Sequence, residues 1–307
     1  MTGLEMVVGS AAVNVAKNAT KGALQGAREQ KRAEQKALLE AAKETEEFKA
    51  AARIKGNKMA VKEALGLIIM KPLAGIMGIS SEYFETKFAE DYAAKIADVP
   101  EENLQTPKAS IAGPAFEGLA YSLGEPALKE MYLELLARAS DDRFATSAHP
   151  SFVQIIRELT TEEALYLPEF LRTVNLITPI VEYRAQYMPG SGHRVLLTNV
   201  LDIREADGEP LADPMTPTYV DNWVRLKLVS VDYGSNLNRD EVYEWEKNRP
   251  ERTSAQATLK ADQNPEFEKM MAKLGVDSIN LDCKKGIMTA TNFGHQFAQV
   301  VGMLTKR

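Results

Sequence analysis

Between residues 80 and 172 the apolar positions of this chain fall into helical registers with little between them. Leu128, Met131, Tyr132, Leu135, Leu136 and Ala139 recur at the spacing of one helix face, with Lys129, Glu130 and Glu134 on the opposite face. Pro126 suits the first turn of that helix. After Pro150, also placed for a helix start, Phe152, Ile155, Ile156 and Leu159 repeat the pattern. Thr160 and Glu163 have capping-box spacing and open another helix. Upstream, Tyr83, Phe84, Phe88, Tyr92 and Ile96 lie along one side of a helix over about residues 80–97, ending before Pro100. That aromatic ridge is expected to pack inward.

Beyond residue 172 the pattern changes. Val174 to Tyr187 is rich in β-branched and aromatic residues, and the turn Pro189-Gly190-Ser191-Gly192 separates it from HRVLLTNVLDI, which suits a strand or a helix. A capped helix is expected from about Thr218, running into a strand over about Lys227–Tyr233. Near the end, DSINLDCKKGIMTATNFGHQFAQVVGML reads as a strand, a Lys285-Gly286 turn, a second strand, and a helix capped by Thr291. This order is similar to the recognition helix and wing of winged-helix domains. The charged stretch over about 235–275, with a short helix from Pro265 to Leu274 and a stop at Gly275, is an insertion within that wing.

The first 79 residues differ in character. Residues 4–27 carry small residues at four-residue intervals (Ala12 and Ala16, Gly22 and Gly26), which permits close helix approach. Asn14, Lys17, Asn18, Lys21 and Gln25 interrupt the run before the ~20 apolar residues a membrane span needs. Residues 28–55 continue with high helix propensity and mixed charge, which suits a solvated or self-associating helix. In residues 59–79, Lys62, Glu63, Lys71 and Pro72 divide the apolar sequence into short blocks, so a buried helix is expected there. Met59, Met70 and Met77, with Gly66, Gly75 and Gly78, give that helix a surface able to change partners.

Charge narrows the function classes. The 307 residues carry a net charge of −6, and 45% are hydrophobic, enough for a sizeable core in about two domains. Residues 1–60 hold eleven Lys or Arg against seven Asp or Glu, whereas residues 151–307 hold eighteen against twenty-two. The acidic C-terminal half argues against nucleic-acid binding through the winged-helix-like part, whose helix offers only Arg225 and Lys227 against Asp221. The basic N-terminal segment points to Lys17, Lys21, Arg28, Lys31 and Arg32 as contacts for an anionic membrane surface or a partner. No basic n-region or continuous apolar stretch of a signal peptide opens the chain, which is expected to be cytoplasmic and peripheral at the inner membrane.

Chemistry-bearing motifs are sparse. Cys283 is the single cysteine, which excludes an internal disulfide and a thiolate zinc cluster and reads as a small strand residue. His149, His193 and His295 are far apart. His149 is expected to cap or pack at a helix start, and His295 to pack or stand exposed. The loop PGSGHR around His193 lacks the spacing of a phosphate-cradling glycine loop, and the chain has no H-E-x-x-H, C-x-x-C or G-x-S-x-G. Asp141-Asp142 and Glu162-Glu163 are sequence neighbours that point apart, and read as turn and cap residues. No catalytic residue, cofactor or metal site is therefore assigned.

Four segments carry a family resemblance: PEENLQTP, AGPAFEGLAYS, LKEMYLELLARASD and HPSFVQIIRELTTEEALYL. They resemble the Abi-alpha family, the alpha-type abortive-infection proteins of bacterial phage resistance, most strongly over about residues 95–172. The resemblance implies that an infected cell stops growing or dies before phage matures. It brings His149, Pro150, Phe152 and Glu163 forward as motif residues with a structural role, and supplies no catalytic residues.

The expected architecture is mainly α with an α+β C-terminal part: an N-terminal helical arm over 1–55, a helical Abi-alpha-like domain over 56–172, and a winged-helix-like domain over 173–307. The expected function is phage defence by a non-enzymatic effector or interaction module, possible partners being copies of itself, an anionic membrane surface, and a phage or host protein as trigger. A DNA-binding regulator and a hydrolase or nuclease with dispersed residues are the alternatives.

Overall fold

A computed structural model describes residues 82–304, apart from 85, 206, 263 and 264. The arm over 1–55, the apolar segment 59–79 and the five basic residues from Lys17 to Arg32 lie outside the described residues. Helices α1 (Phe88–Lys95), α2 (Ala109–Tyr121), α3 (Pro126–Ala139), α4 (Ser151–Arg157) and α5 (Thr161–Leu171) come first. An antiparallel sheet then runs through the C-terminal part, so the chain is α+β.

The helical registers read from sequence become the helical core. All six residues of the expected α3 stripe are buried, with Leu135 and Leu136 fully so, and Pro126 sits in the first turn. The aromatic ridge ahead of α3 closes on α2: Phe88 stacks on Tyr92 and meets the Phe116 ring edge-on, centroids 5.4 Å apart in both pairs. Within α2, Gly118 lets the Tyr132 ring of α3 lie against its backbone, where an added Cβ would overlap the ring. Burying Leu128, Leu135 and Leu136 alone gains several kcal/mol at roughly 1.5–3 kcal/mol each.

Two of the family-like segments meet as a clasp. The backbone of Gln105 donates to Ser140 O at 2.9 Å, that of Asp142 donates to Asn103 O at 2.9 Å, and the Asn103 amide donates to the Asp142 carboxylate at 2.8 Å. The segments around PEENLQTP and ARASDD are thus tied edge to edge, and the bridge between Leu104 and Asp141 has the geometry of a short antiparallel pair.

Strands β1 (Ile177–Met188), β2 (His193–Val200), β3 (Val229–Asp232) and β4 (Ser278–Ala290) form one sheet in the order β2-β1-β4-β3, every pair antiparallel. VLLTNV is therefore strand. The expected Lys285-Gly286 turn is absent, because β4 runs through both residues and pairs continuously with β1, placing Gly286 opposite Ile180. Glycine serves close approach here: Tyr233 packs against Gly286, and the Tyr243 hydroxyl donates to its carbonyl at 2.9 Å. β3 and the end of β4 pair as the strands of a wing would, yet β4 continues along β1 as an inner strand of the four-stranded sheet.

Helix α6 (Thr216–Arg225) precedes β3, starting two residues earlier than expected, with Pro217 in its first turn and no side-chain cap. The insertion over 235–275 is more ordered than the one short helix expected. It contains a 3-10 helix over Asp240–Asn248, α7 (Pro250–Asp262) and α8 (Pro265–Lys273), and Gly275 ends the last with φ 76°. Tyr243 and Ala255 roof one sheet face over Val181, Tyr183 and Val200. Arg249, 2% exposed, locks this roof by donating to Ile203 O at 2.7 Å and Leu211 O at 2.6 Å while pairing with Glu251. The last helix, α9 (Asn292–Val300), opens as expected, with Thr291 Oγ1 accepting Gly294 N at 2.8 Å. It returns to the helical core, where Phe297 packs on Phe152 of α4 at 5.5 Å between centroids.

Candidate functional site

That return of α9 builds a cleft. A cavity of about 450 Å³ opens between the ends of α3, α5 and α9, lined by Arg138, Phe144, Ser147, Arg172, His295, Gln299, Val300 and Leu304. Arg138 stands in the last turn of α3, Arg172 directly follows α5, and Gln299 and Val300 close α9. Three helix C-termini thus converge on one space.

His295 has a defined hydrogen-bonding state there. Its Nδ1 lies 2.9 Å from Leu171 O, which only accepts, so Nδ1 carries the hydrogen and caps α5. Its Nε2 lies 3.0 Å from Gln299 Nε2 and, in the neutral ring, accepts from that amide. Gln296 fastens the opposite wall by donating to Ser147 O at 3.1 Å. Arg138 and Arg143 both stack on Phe144, at 4.9 and 5.4 Å from its centroid. Arg143 is engaged bidentately by Asp141, Nε to Oδ1 at 2.8 Å and Nη2 to Oδ2 at 2.6 Å, and this holds the buried Asp141 carboxyl below the usual carboxylate range. Arg172 pairs with Glu169 on the open surface.

Arg138 differs from these. Among the described residues its guanidinium has no hydrogen-bond or ion-pair partner; apart from the fully exposed Arg239, every other arginine there pairs with a carboxylate. A half-buried cation on a cavity wall, stacked on Phe144 and near Asp141 but with no hydrogen-bond or ion-pair partner among the described residues, is an electrostatic feature of the cleft.

The motif residues from the sequence do not line the cleft; they cap and join helices of the core. His149 Nδ1 accepts Ser151 N at 3.2 Å, capping α4, and its ring meets Phe152 and Phe293 at 5.9 and 6.4 Å. Pro150 immediately precedes α4. Phe152 is fully buried against Phe293 and Phe297. Glu163 closes the capping box with Thr160 and accepts Asn222 Nδ2 at 2.8 Å, joining α5 to α6. His193 is exposed in the β1–β2 turn. Sequence reasoning passed over Arg138, Arg172 and Gln299. Helix-end cations were visible, but nothing local says that these ends meet.

A family model described as abortive infection alpha matches residues 80–301. The chain belongs to that family. The match covers both the helical core and the sheet, and it includes α9. No curated protein and no solved structure matches the chain. Among the described residues of this abortive infection alpha protein, no group of histidine, cysteine and carboxylate side chains is arranged to hold a metal, and no helix is long and apolar enough to cross a membrane.

Proposed function

We propose that this abortive infection alpha protein is a phage-defence effector that acts by non-covalent contact. Its family membership over residues 80–301 carries the reading. The engagement of His149, His295 and Cys283 supports it. His149 caps a helix, and His295 is held between Leu171 and Gln299. Burial, reinforced by the Glu246 carboxylate, pushes the Cys283 thiol up to about 12, which keeps it protonated and unreactive at neutral pH.

The helix that sequence would assign to DNA reading is turned to other work. Tyr219, Val220 and Trp223 of α6 are buried, and Arg225 is paired with Glu158 at 2.5 Å. This favours an interaction module over a winged-helix DNA reader. The contact surface in the proposal is an anionic membrane, met by the basic arm through Lys17, Lys21, Arg28, Lys31 and Arg32 at about 1 kcal/mol per cation near the surface.

The test joins infection to flotation. Bacteria carrying the wild-type chain should resist phage as a culture at low phage input and collapse at high input, the signature of abortive infection. Reversing the five arm cations to Glu should abolish both protection and flotation with acidic vesicles while leaving far-UV circular dichroism unchanged. Protection that survives the reversal overturns the membrane route, and a fall from oligomer to monomer in the same variant assigns the arm to self-association.

A further inference from the structure

We propose that the cleft between the ends of α3, α5 and α9 binds a phosphate-bearing organic ligand, with Arg138 as its anchor. Three observations converge on this. The first is Arg138, half-buried on the cavity wall over the Phe144 ring, with no hydrogen-bond or ion-pair partner among the described residues.

The second concerns the helix ends. A C-terminus carries roughly half a negative charge, and cations near one are ordinarily explained by that dipole. Here at least one carbonyl at each of the three termini is already served. Ser140 Oγ donates to Leu136 O at 3.0 Å, His295 takes Leu171 O, and the Val301 and Met303 backbones donate to Phe297 O at 3.0 Å and Ala298 O at 2.9 Å. Gly302, with φ 74°, completes the cap of α9. Capping therefore does not require Arg138, whose full charge exceeds the partial charge of any one terminus.

The third is the availability of further donors. Among the described residues Arg172 is tied only to Glu169, and both side chains are more than half exposed, at 58% and 67%. Such a surface pair is weak and is readily exchanged for a ligand. Gln299 spends one amide hydrogen on His295 and keeps the other.

Donors on three separate elements suit a tetrahedral phosphate, whose oxygens point in several directions; a planar carboxylate is matched by one guanidinium fork. About 450 Å³ is more room than a bare phosphate needs, and Phe144, Val300 and Leu304 supply apolar wall for an organic remainder. The same chemistry is presented by a soluble nucleotide and by a lipid headgroup, and the experiment separates the two.

The full chain is titrated calorimetrically with inorganic pyrophosphate and with ATP, and floated with vesicles of phosphatidylglycerol or of phosphatidylcholine. Wild type should bind at least one phosphate probe, and Arg138→Gln should weaken that binding about tenfold or more, whereas Arg239→Gln should leave it unchanged. Arg138-dependent binding of ATP or pyrophosphate supports a soluble ligand; Arg138-dependent flotation alone supports a headgroup. Should Arg138→Gln fail to fold, Arg172→Gln carries the same expectation. Failure of wild type to bind any probe, or binding that is equal in the variants, overturns the proposal. Because the arm cations remain in every variant, failure here leaves the arm-based reading of function standing.

Discussion

Glu163 accepts the Asn222 side-chain amide at 2.8 Å with one carboxylate oxygen and the Thr160 backbone N–H at 2.8 Å with the other. One side chain thus caps the start of α5 and fastens it to α6, with 2% of its surface exposed. Glu163→Ala removes half of the capping box and leaves the half-buried Asn222 amide, among the described residues, with only Glu158 O as acceptor. A loss of about 2–3 kcal/mol is expected in urea unfolding at neutral pH. Glu163→Gln, which keeps an acceptor for either partner, should lose clearly less.

Gly294 is the third residue of α9, and a Cβ there would overlap the backbone of Leu228. Backbone cannot swing away as a side-chain tip can. Gly294→Ala should therefore cost at the upper end of the roughly 1–3 kcal/mol seen for overpacking, read as a lower urea midpoint with an unchanged slope. A midpoint equal to wild type would mean that α9 can shift along β3 without loss.

The Tyr132 hydroxyl is buried without a hydrogen-bond partner among the described residues, above the Gly118 backbone. Removing an unpaired buried hydroxyl relieves a desolvation cost, so Tyr132→Phe should be neutral or stabilising by up to about 1 kcal/mol. Thermal unfolding of the two proteins side by side checks the sign, and a clear loss of stability would reveal a partner for the hydroxyl.

Cys283 sets an alkaline limit. Its thiol is pushed up to about 12 by burial, above the roughly 8.5 of a free thiol, so the unfolded chain releases that proton first. Stability from this group is intact below about pH 8 and declines as pH rises toward 12. The Tyr183 and Tyr233 phenols, raised by burial, add to the same decline at higher pH. Cys283→Ala should flatten the stability curve between about pH 8.5 and 10. In the native wild type, a disulfide reagent at pH 8 should react on the order of a hundredfold more slowly than with urea-unfolded chain.

What the sequence determined by itself was local. The α3 stripe, the Thr160–Glu163 capping box, the Thr291 cap and the Gly275 stop all follow from residues within a turn or two of one another, and each is present where the spacing puts it. Tertiary structure decided the rest. Lys285-Gly286 has the composition of a turn, but a full-length partner strand and two tyrosines packed at Gly286 hold it extended. The polar helices of the insertion lack long apolar stripes and are held by a few buried side chains, Tyr243, Ala255 and Arg249 among them, against a sheet surface formed from other parts of the chain. Arg138, Arg172 and Gln299 are separated by more than thirty residues at each step, and tertiary contacts such as Phe297 on Phe152 and His295 on Leu171 O bring α9 back to complete their cleft. Backbone capping and helix periodicity act over a few residues and leave a mark in the sequence; burial and charge neutralisation act across space, between segments whose distance along the chain carries no sign that they will meet.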